Sequence, residues 1–287
     1  MRLPAARAAP PDLTRLAHLD YLSAVRSDPP QPIDRATVIS REAAFHDALA
    51  EGWDVEAAEP RPPDQLEAAI LAATGPINGR HVLDYGCGDG ILSIHFADRG
   101  AASVTGIDIS TRSVQFAGQR ARRFRPGAPI EFVATNAETT GLPDAAFDIV
   151  AGKLVLHHLD LGAAVDEVYR LLRPGGRGVF IETSGLNPLL MIARKQIVHR
   201  GWFGAVRVGT EDEHPLTRSD LRILRSRFRA TNVDFPVFWL FRPFAYQVLA
   251  PRYPGLGHRV VALDERVEQN LRMLKPLSYY MRIVVTK

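Results

Sequence analysis

The chain has 287 residues, 46% of them apolar and 23% charged, with a formal net charge of +3. That length allows one sizeable core, or a core with a cap, and that composition excludes a disordered chain. With 35 basic residues against 32 acidic ones and no compact basic run, the charge gives no reason to expect a nucleic-acid partner. Cys87, the single cysteine, excludes an internal disulfide and fits a reducing compartment. The start, "MRLPAARAAPPDL", carries no apolar core of signal-peptide length. The most apolar stretch, "FPVFWLFRPFAYQVLA", is interrupted by Pro236, Arg242 and Pro243, too short and too broken to cross a bilayer. The expectation is a cytoplasmic protein without stable membrane insertion.

Pro-rich joints at 28–32 and 60–63 flank "DRATVISREAAFHDALAEGW", where Ile39, Ala43, Phe45, His46 and Leu49 recur at helical spacing. Residues 1–63 therefore read as a helical extension or lid. The joints permit it to fold over its own site or onto a second copy of the chain. From residue 64 strands and helices alternate. "HVLDY", "SVTGIDIS", "IEFVAT", "FDIVAG" and "RGVFIET" are strands; "ILSIHFADRG", "TRSVQFAGQRARRF" and "AAVDEVYRLLRPGG" are helices, the last stopped by Pro-Gly-Gly. This alternation over 64–183 implies an α/β fold, a Rossmann-like, seven-stranded, mostly parallel sheet with helices on both faces. Ligands of such sheets bind outside the carboxyl ends of the strands. Beyond it, 184–216 reads as a lid insertion and 217–236 as a core helix, opened by Thr217 with Asp220, and a strand. Residues 237–276 read as a helical cap and 277–287 as the final core strand.

The stretch "RHVLDYGCGDGILS" puts Gly86, Gly88 and Gly90 directly after a strand. A dinucleotide turn has the form G-x-G-x-x-G, but Ile91 stands where its last glycine belongs. Asp84 also ends the strand, where it would repel a pyrophosphate. Asp108, ending the second strand, can accept hydrogen bonds from both hydroxyls of a ribose. A nucleoside with a tail free of phosphate suits these residues better than NAD, although an oxidoreductase is the competing class.

With "VLDYGCGDG", "GIDIS", "TNAETTGLPDAAFDIV", "LVLHHL" and "YRLLRPGGRGVFIE" in this order, residues 64–183 resemble the class I S-adenosylmethionine-dependent methyltransferases. The resemblance is to the small-molecule branch with a quinone-biosynthesis-like core. It implies S-adenosyl-L-methionine as cofactor, with Asp84 and the backbone of Gly86 and Gly88 at its methionine end and Gly90 completing the turn. Asp108 would hold the ribose, Ile109 would pack on the adenine, and Asn136 and Ala137 would meet the adenine edge. The backbone near Lys153 would lie by the sulfonium. Asn136 departs from the family's usual Asp. Lys153 is unusual beside a sulfonium, and its ammonium is expected to point to solvent or to an anionic substrate. The implied reaction is methyl transfer to a small-molecule acceptor, hydrophobic or aromatic. The rival is a cofactor-binding protein of the same fold with a non-methylating reaction such as cyclisation.

Candidate bases for an oxygen acceptor are His157 and His158, expected to open a helix after strand four, Glu182 at the end of strand five, and His214 in "TEDEHPL". Each has a plain structural alternative, namely packing or holding a loop. His46 reads more simply as a half-buried core histidine than as a ligand, and Cys87 as structural. Consecutive Glu211, Asp212, Glu213 and His214 cannot all face one ion, so no metal is expected. The aromatic run Phe235, Phe238, Trp239, Phe241, Phe244 and Tyr246 reads as the core of a cap. Lining an apolar acceptor pocket, or touching a membrane surface, are its alternatives.

Overall fold

The computed structural model describes residues 34–193, 214–242 and 253–287. In chain order they form α1 (Arg35–Ala50), α2 (Gln65–Ala73), β1 (His81–Tyr85), α3 (Ile91–Ala97), β2 (Ser103–Asp108) and α4 (Thr111–Phe124). There follow β3 (Ile130–Ala134), β4 (Phe147–Lys153), α5 (Leu161–Leu171), β5 (Leu172–Thr183) and α6 (Pro188–Ala193). The rest comprises α7 (Arg218–Arg227), β6 (Ala230–Asp234), α8 (Pro254–Asn270) and β7 (Tyr280–Thr286).

The seven strands form one sheet in the order β3-β2-β1-β4-β5-β7-β6. Strands β1 to β5 pair parallel, and β7 runs antiparallel to both β5 and β6. Helices cover both faces, so the central strands read as near-continuous apolar runs. Val82, Leu83 and Tyr85 of β1 and Val150 and Ala151 of β4 are fully buried. One face packs Leu83, Val150 and Phe180 against α5 and α7; the other packs Val82, Ile149 and Val179 against α2 and Phe96 of α3. Strand order reverses between β1 and β4, which opens a crevice at their carboxyl ends.

The expected strands and helices of 64–183 form, with two differences. The helix expected to be stopped by Pro-Gly-Gly already ends at Leu171, and Pro174, Gly175 and Gly176 lie inside β5, which starts at Leu172. His157 and His158 do not open a helix: residues Leu156–His158 make a single 3₁₀ turn, and α5 begins at Leu161 after its Asp160 cap. The cap is local chemistry, since the Asp160 carboxylate accepts the Ala163 N–H at 2.9 Å. At α7 the carboxylate of Asp220 accepts the Thr217 N–H at 2.7 Å. Within the expected insertions at 184–216 and 237–276, residues 194–213 and 243–252 lie outside the described residues, among them Glu211 to Glu213, Phe244 and Tyr246, as do residues 1–33. Within the cap region Phe238 is buried and Phe241 exposed. Asp264 of α8, wholly buried, accepts the backbone N–H groups of Leu240, Phe241 and Arg242.

Helix α1 departs from its expected face. Ile39, Ala43, Phe45 and Leu49 are only half-buried, whereas Val38, Glu42 and Ala50 are buried. A polar latch docks it at the carboxyl edge. The Asp47 carboxylate accepts Ser110 Oγ at 2.5 Å and the Arg112 N–H at 3.1 Å, and Arg35 bridges to Glu138. Ser110 in turn caps α4, accepting the Ser113 N–H. The loop behind α1 is pinned as well: Trp53 meets Phe116 edge to face at 5.0 Å.

Candidate active site

The glycine turn is tied down before any ligand arrives. The N–H groups of Gly86 and Cys87 both donate to the Ile107 carbonyl, at 2.9 and 2.8 Å. Three glycines serve it differently, all at positive φ. A Cβ on Gly86 would stand 2.6 Å from Val155, and one on Gly90 2.7 Å from Ala117. These two glycines are required by close packing. Gly88 faces open space, with nothing within 4 Å of where a Cβ would be. That open face is the cradle, and the Asp108 carboxylate borders it by accepting the Gly88 N–H at 2.9 Å and the Ser110 N–H at 2.9 Å.

Asp84 is placed beneath the turn rather than in the cradle. Its carboxyl is 1% exposed and accepts Ser93 Oγ at 2.6 Å. Burial pushes its pKa up to about 7 against the pull of Ser93. Burial also pushes the Cys87 thiol well above its ordinary value, which fits an inert, structural cysteine.

On the far side of the cradle, Ala137 is buried and its carbonyl accepts the Tyr85 hydroxyl. Strand β1 thereby fixes the position of the Ala137 backbone. The Asn136 amide oxygen accepts the Glu138 N–H at 2.9 Å, an Asx turn that leaves the NH₂ group to meet a ligand edge. Ile109 lies half-buried between Asp108 and the latch residue Ser110.

Lys153 corrects the expectation that its ammonium would face solvent or a substrate. It donates to Glu67 at 2.5 Å and lies 3.7 Å from Asp64. Glu67 is wholly buried in α2, where it also takes both arms of Arg61, at 2.6 and 2.8 Å. Burial works against its charge, yet His95, Arg61 and Lys153 hold its pKa well below the carboxylate range. A buried carboxylate needs such partners, and Lys153 is one of them.

Glu182 is corrected likewise. It is wholly buried, and its Oε1 accepts the N–H groups of Val155 and Leu156 at 3.0 and 2.8 Å. Oε2 lies 2.7 Å from Nδ1 of His157, which is itself buried. The pair holds the turn after β4, in which Leu154 takes a positive φ of 58°. That conformation is costly for a residue with a Cβ and persists because its surroundings impose it. Glu182 and His157 thus act on the site through the backbone. His214 is exposed beside Pro215, and the next residue, Leu216, bridges to Ser184 at the end of β5. The His158 ring lies 4.2 Å from that of His157 but has different partners: its Nδ1 lies 3.0 Å from Glu42 of α1, and its ring meets that of His46 at 5.2 Å. Of the four candidate bases, His158 is the one that meets α1 at the crevice mouth.

Sequence reasoning missed Glu42, Asp47 and Glu67. Each is an acid on a helix whose partner comes from a distant part of the chain. The one available signal was acids on helices that also carried an apolar face.

Comparison with known proteins bears on the family and the fold. Residues 83–180 match the family model described as a methyltransferase domain. The chain is 35% identical over 167 residues to the ubiquinone biosynthesis O-methyltransferase of Aeromonas salmonicida, covering 55% of this chain and 68% of that one. Across the curated relatives it matches, the chain spans 46% to 68% of their length. Among solved structures, the 4+2 cyclase SpnF aligns with a TM-score of 0.56 at 20% identity, over 91% of this chain and 99% of that one. Geranyl diphosphate C-methyltransferase from Streptomyces coelicolor, solved with Mg²⁺, geranyl diphosphate and S-adenosyl-L-homocysteine, aligns at 0.56 and 15% identity, over 90% and 98%. At those identities the two structures speak for the fold alone.

Proposed function

Because the chain belongs to the class I S-adenosylmethionine-dependent methyltransferases, we propose that it is an enzyme that binds S-adenosyl-L-methionine over the glycine turn and methylates a small-molecule acceptor. The observation that carries this is the Asp108 carboxylate bordering the open face of Gly88. It offers hydroxyl acceptors beside a cradle, with Asp84 beneath it, a poor setting for a pyrophosphate. When bound, the cofactor supplies an electrophilic methyl group on a sulfonium.

The protein's own contribution is positioning. Asp108 takes the ribose hydroxyls, Ala137 and the Asn136 amide line the adenine edge, and the backbone of Gly86 and Gly88 receives the methionine end. Glu182 holds the Leu154 turn, which would border the cofactor on the β4 side, and α1 spans from Ser110 beside Asp108 to His158. Positioning of this kind can remove roughly 7–11 kcal/mol from a bimolecular barrier. A hydrophobic or aromatic acceptor is the reading supported by relatives named ubiquinone biosynthesis O-methyltransferases. We place the protein in the cytoplasm as a soluble enzyme; among the described residues no helix is long and apolar enough to cross a membrane.

Calorimetric titration with S-adenosyl-L-homocysteine, with NADH as control, tests the reading. The expected result is micromolar or tighter binding of the first and none of the second. Binding of NADH alone would overturn it.

A further inference from the structure

Where α1 meets the turn after β4, three metal-ligating groups from two elements converge. Glu42 and His46 lie one helical turn apart on α1, with Oε2 and Nε2 separated by 3.6 Å. His158 presents Nδ1 at 3.0 Å from the same Oε2. All three ligand atoms fall within 4.8 Å of one another, and no other group of this kind occurs among the described residues. We propose that Glu42, His46 and His158 form a binding site for a divalent first-row transition cation of the zinc type.

The geometry suits that cation. Bonds of about 2.0–2.2 Å to nitrogen and oxygen around a tetrahedral centre put neighbouring ligand atoms roughly 3.3–3.6 Å apart. The observed 3.6 and 3.0 Å need only side-chain adjustment to meet it. Two imidazoles and one carboxylate match the donor preference of zinc and iron rather than magnesium or calcium, which prefer oxygen. The set is also supported from behind. Glu42 is buried, with its side chain 6% exposed. The His158 backbone belongs to the 3₁₀ turn that Glu182 holds. The His46 ring rests edge-on against Phe45 at 5.3 Å. His46 keeps 31% of its side chain exposed and His158 16%, so the cation would retain open positions toward the crevice mouth. Arg35, which donates to the His158 carbonyl at 3.4 Å, is paired with Glu138.

A cation here would join α1 to the core by coordination, beside the Asp47 latch. Binding to the folded chain alone then raises its melting temperature. The site stands independently of the methyl-transfer reading.

The test titrates the full, chelator-stripped chain with Co²⁺ as an optical probe, follows visible d–d absorption, and measures melting with and without Zn²⁺. The expected result is one equivalent of Co²⁺, displaced by Zn²⁺, and a Zn²⁺-dependent rise in melting temperature. Glu42→Gln and His46→Ala should each weaken Co²⁺ binding at least tenfold and abolish that rise, while His81→Ala, at the opposite edge of the sheet, changes neither. S-adenosyl-L-homocysteine titration of the same variants reports whether they remain folded at the cradle. Absence of Co²⁺ absorption, or absorption that persists unchanged in Glu42→Gln and His46→Ala, overturns the site whatever the cofactor does. Failure to bind S-adenosyl-L-homocysteine with Co²⁺ binding intact overturns the methyl-transfer reading instead.

Discussion

Asp84 shows how a single residue in the signature motif can act without touching a ligand. Its carboxyl is buried against Ser93 and its pKa rises to about 7. The folded protein therefore keeps a proton that the unfolded chain releases near 3.8. The associated stability is complete below that lower value and is lost as pH rises through about 7. Asp84→Asn mimics the protonated form, so its stability relative to the wild type should improve by on the order of 2–3 kcal/mol from about pH 5 to about pH 7. Denaturant titration at the two pH values checks this; a pH-independent difference would place Asp84 in a wetter setting. The glycines make a second contrast. Gly86→Ala drives a methyl group into Val155 and should cost about 1–3 kcal/mol. Gly88→Ala, with open space in front of it, should cost only about 1–2 kcal/mol for its left-handed backbone yet lose affinity for S-adenosyl-L-homocysteine. Melting and calorimetry on the pair separate the two outcomes. The left-handed turn at Gly86, Gly88 and Gly90 was readable in the sequence because three glycines follow one strand, whereas the Val155 and Ala117 side chains that crowd two of them come from distant elements. Glu67 as the partner of Lys153 was not, because the two meet only through the packing of α2 on β4.

At the scale of elements, the sheet is tied to the site by two buried or latched acids. Glu182 connects β5 to the turn after β4 through the Val155 and Leu156 N–H groups and His157. Glu182→Gln keeps one accepting oxygen but sets an NH₂ group against His157. It should destabilise the fold by about 1–3 kcal/mol, measured by denaturation, with a larger fractional loss of cofactor affinity if the Leu154 turn relaxes. The Asp47 latch carries α1 in the same way. Asp47→Ala removes the acceptor of Ser110 and Arg112, so hydrogen exchange in α1 should speed up while exchange in β1 and β4 stays slow. Equal protection in both proteins would show that α1 is held by other contacts. The strands were legible because apolar runs bounded by Gly and Pro punctuate 64–183. The 3₁₀ turn at Leu156–His158 was not, since its shape is imposed by Glu182 from another strand. The α1 helix was legible as a helix, but its docking face was not: a buried Glu42 contradicts a reading based on apolar periodicity.

At the scale of the molecule, the strand order turns at β1 and β4, and the residues that matter cluster above that switch. Gly86 to Gly90 and Asp108 stand on one side of it, the Leu154 turn and His158 on the other, and α1 crosses the mouth between them. The alternation of strands and helices made this architecture readable from residue 64 onward, and the order of the motifs carried the family. The division of 1–63 from the core was drawn too sharply, because α1 packs on α4 through polar contacts that leave little apolar pattern.

The proposed function places the ribose of a nucleoside cofactor at the open face of Gly88, bordered by Asp108. Asp108→Ala removes an acceptor for two hydroxyls, each such bond to a charged group being worth about 1.5–3 kcal/mol. Titrated with S-adenosyl-L-homocysteine beside the wild type, and with melting confirming that the turn survives loss of the Gly88 and Ser110 bonds, the variant should bind at least about 100-fold more weakly. A folded Asp108→Ala protein with wild-type affinity would contradict the account.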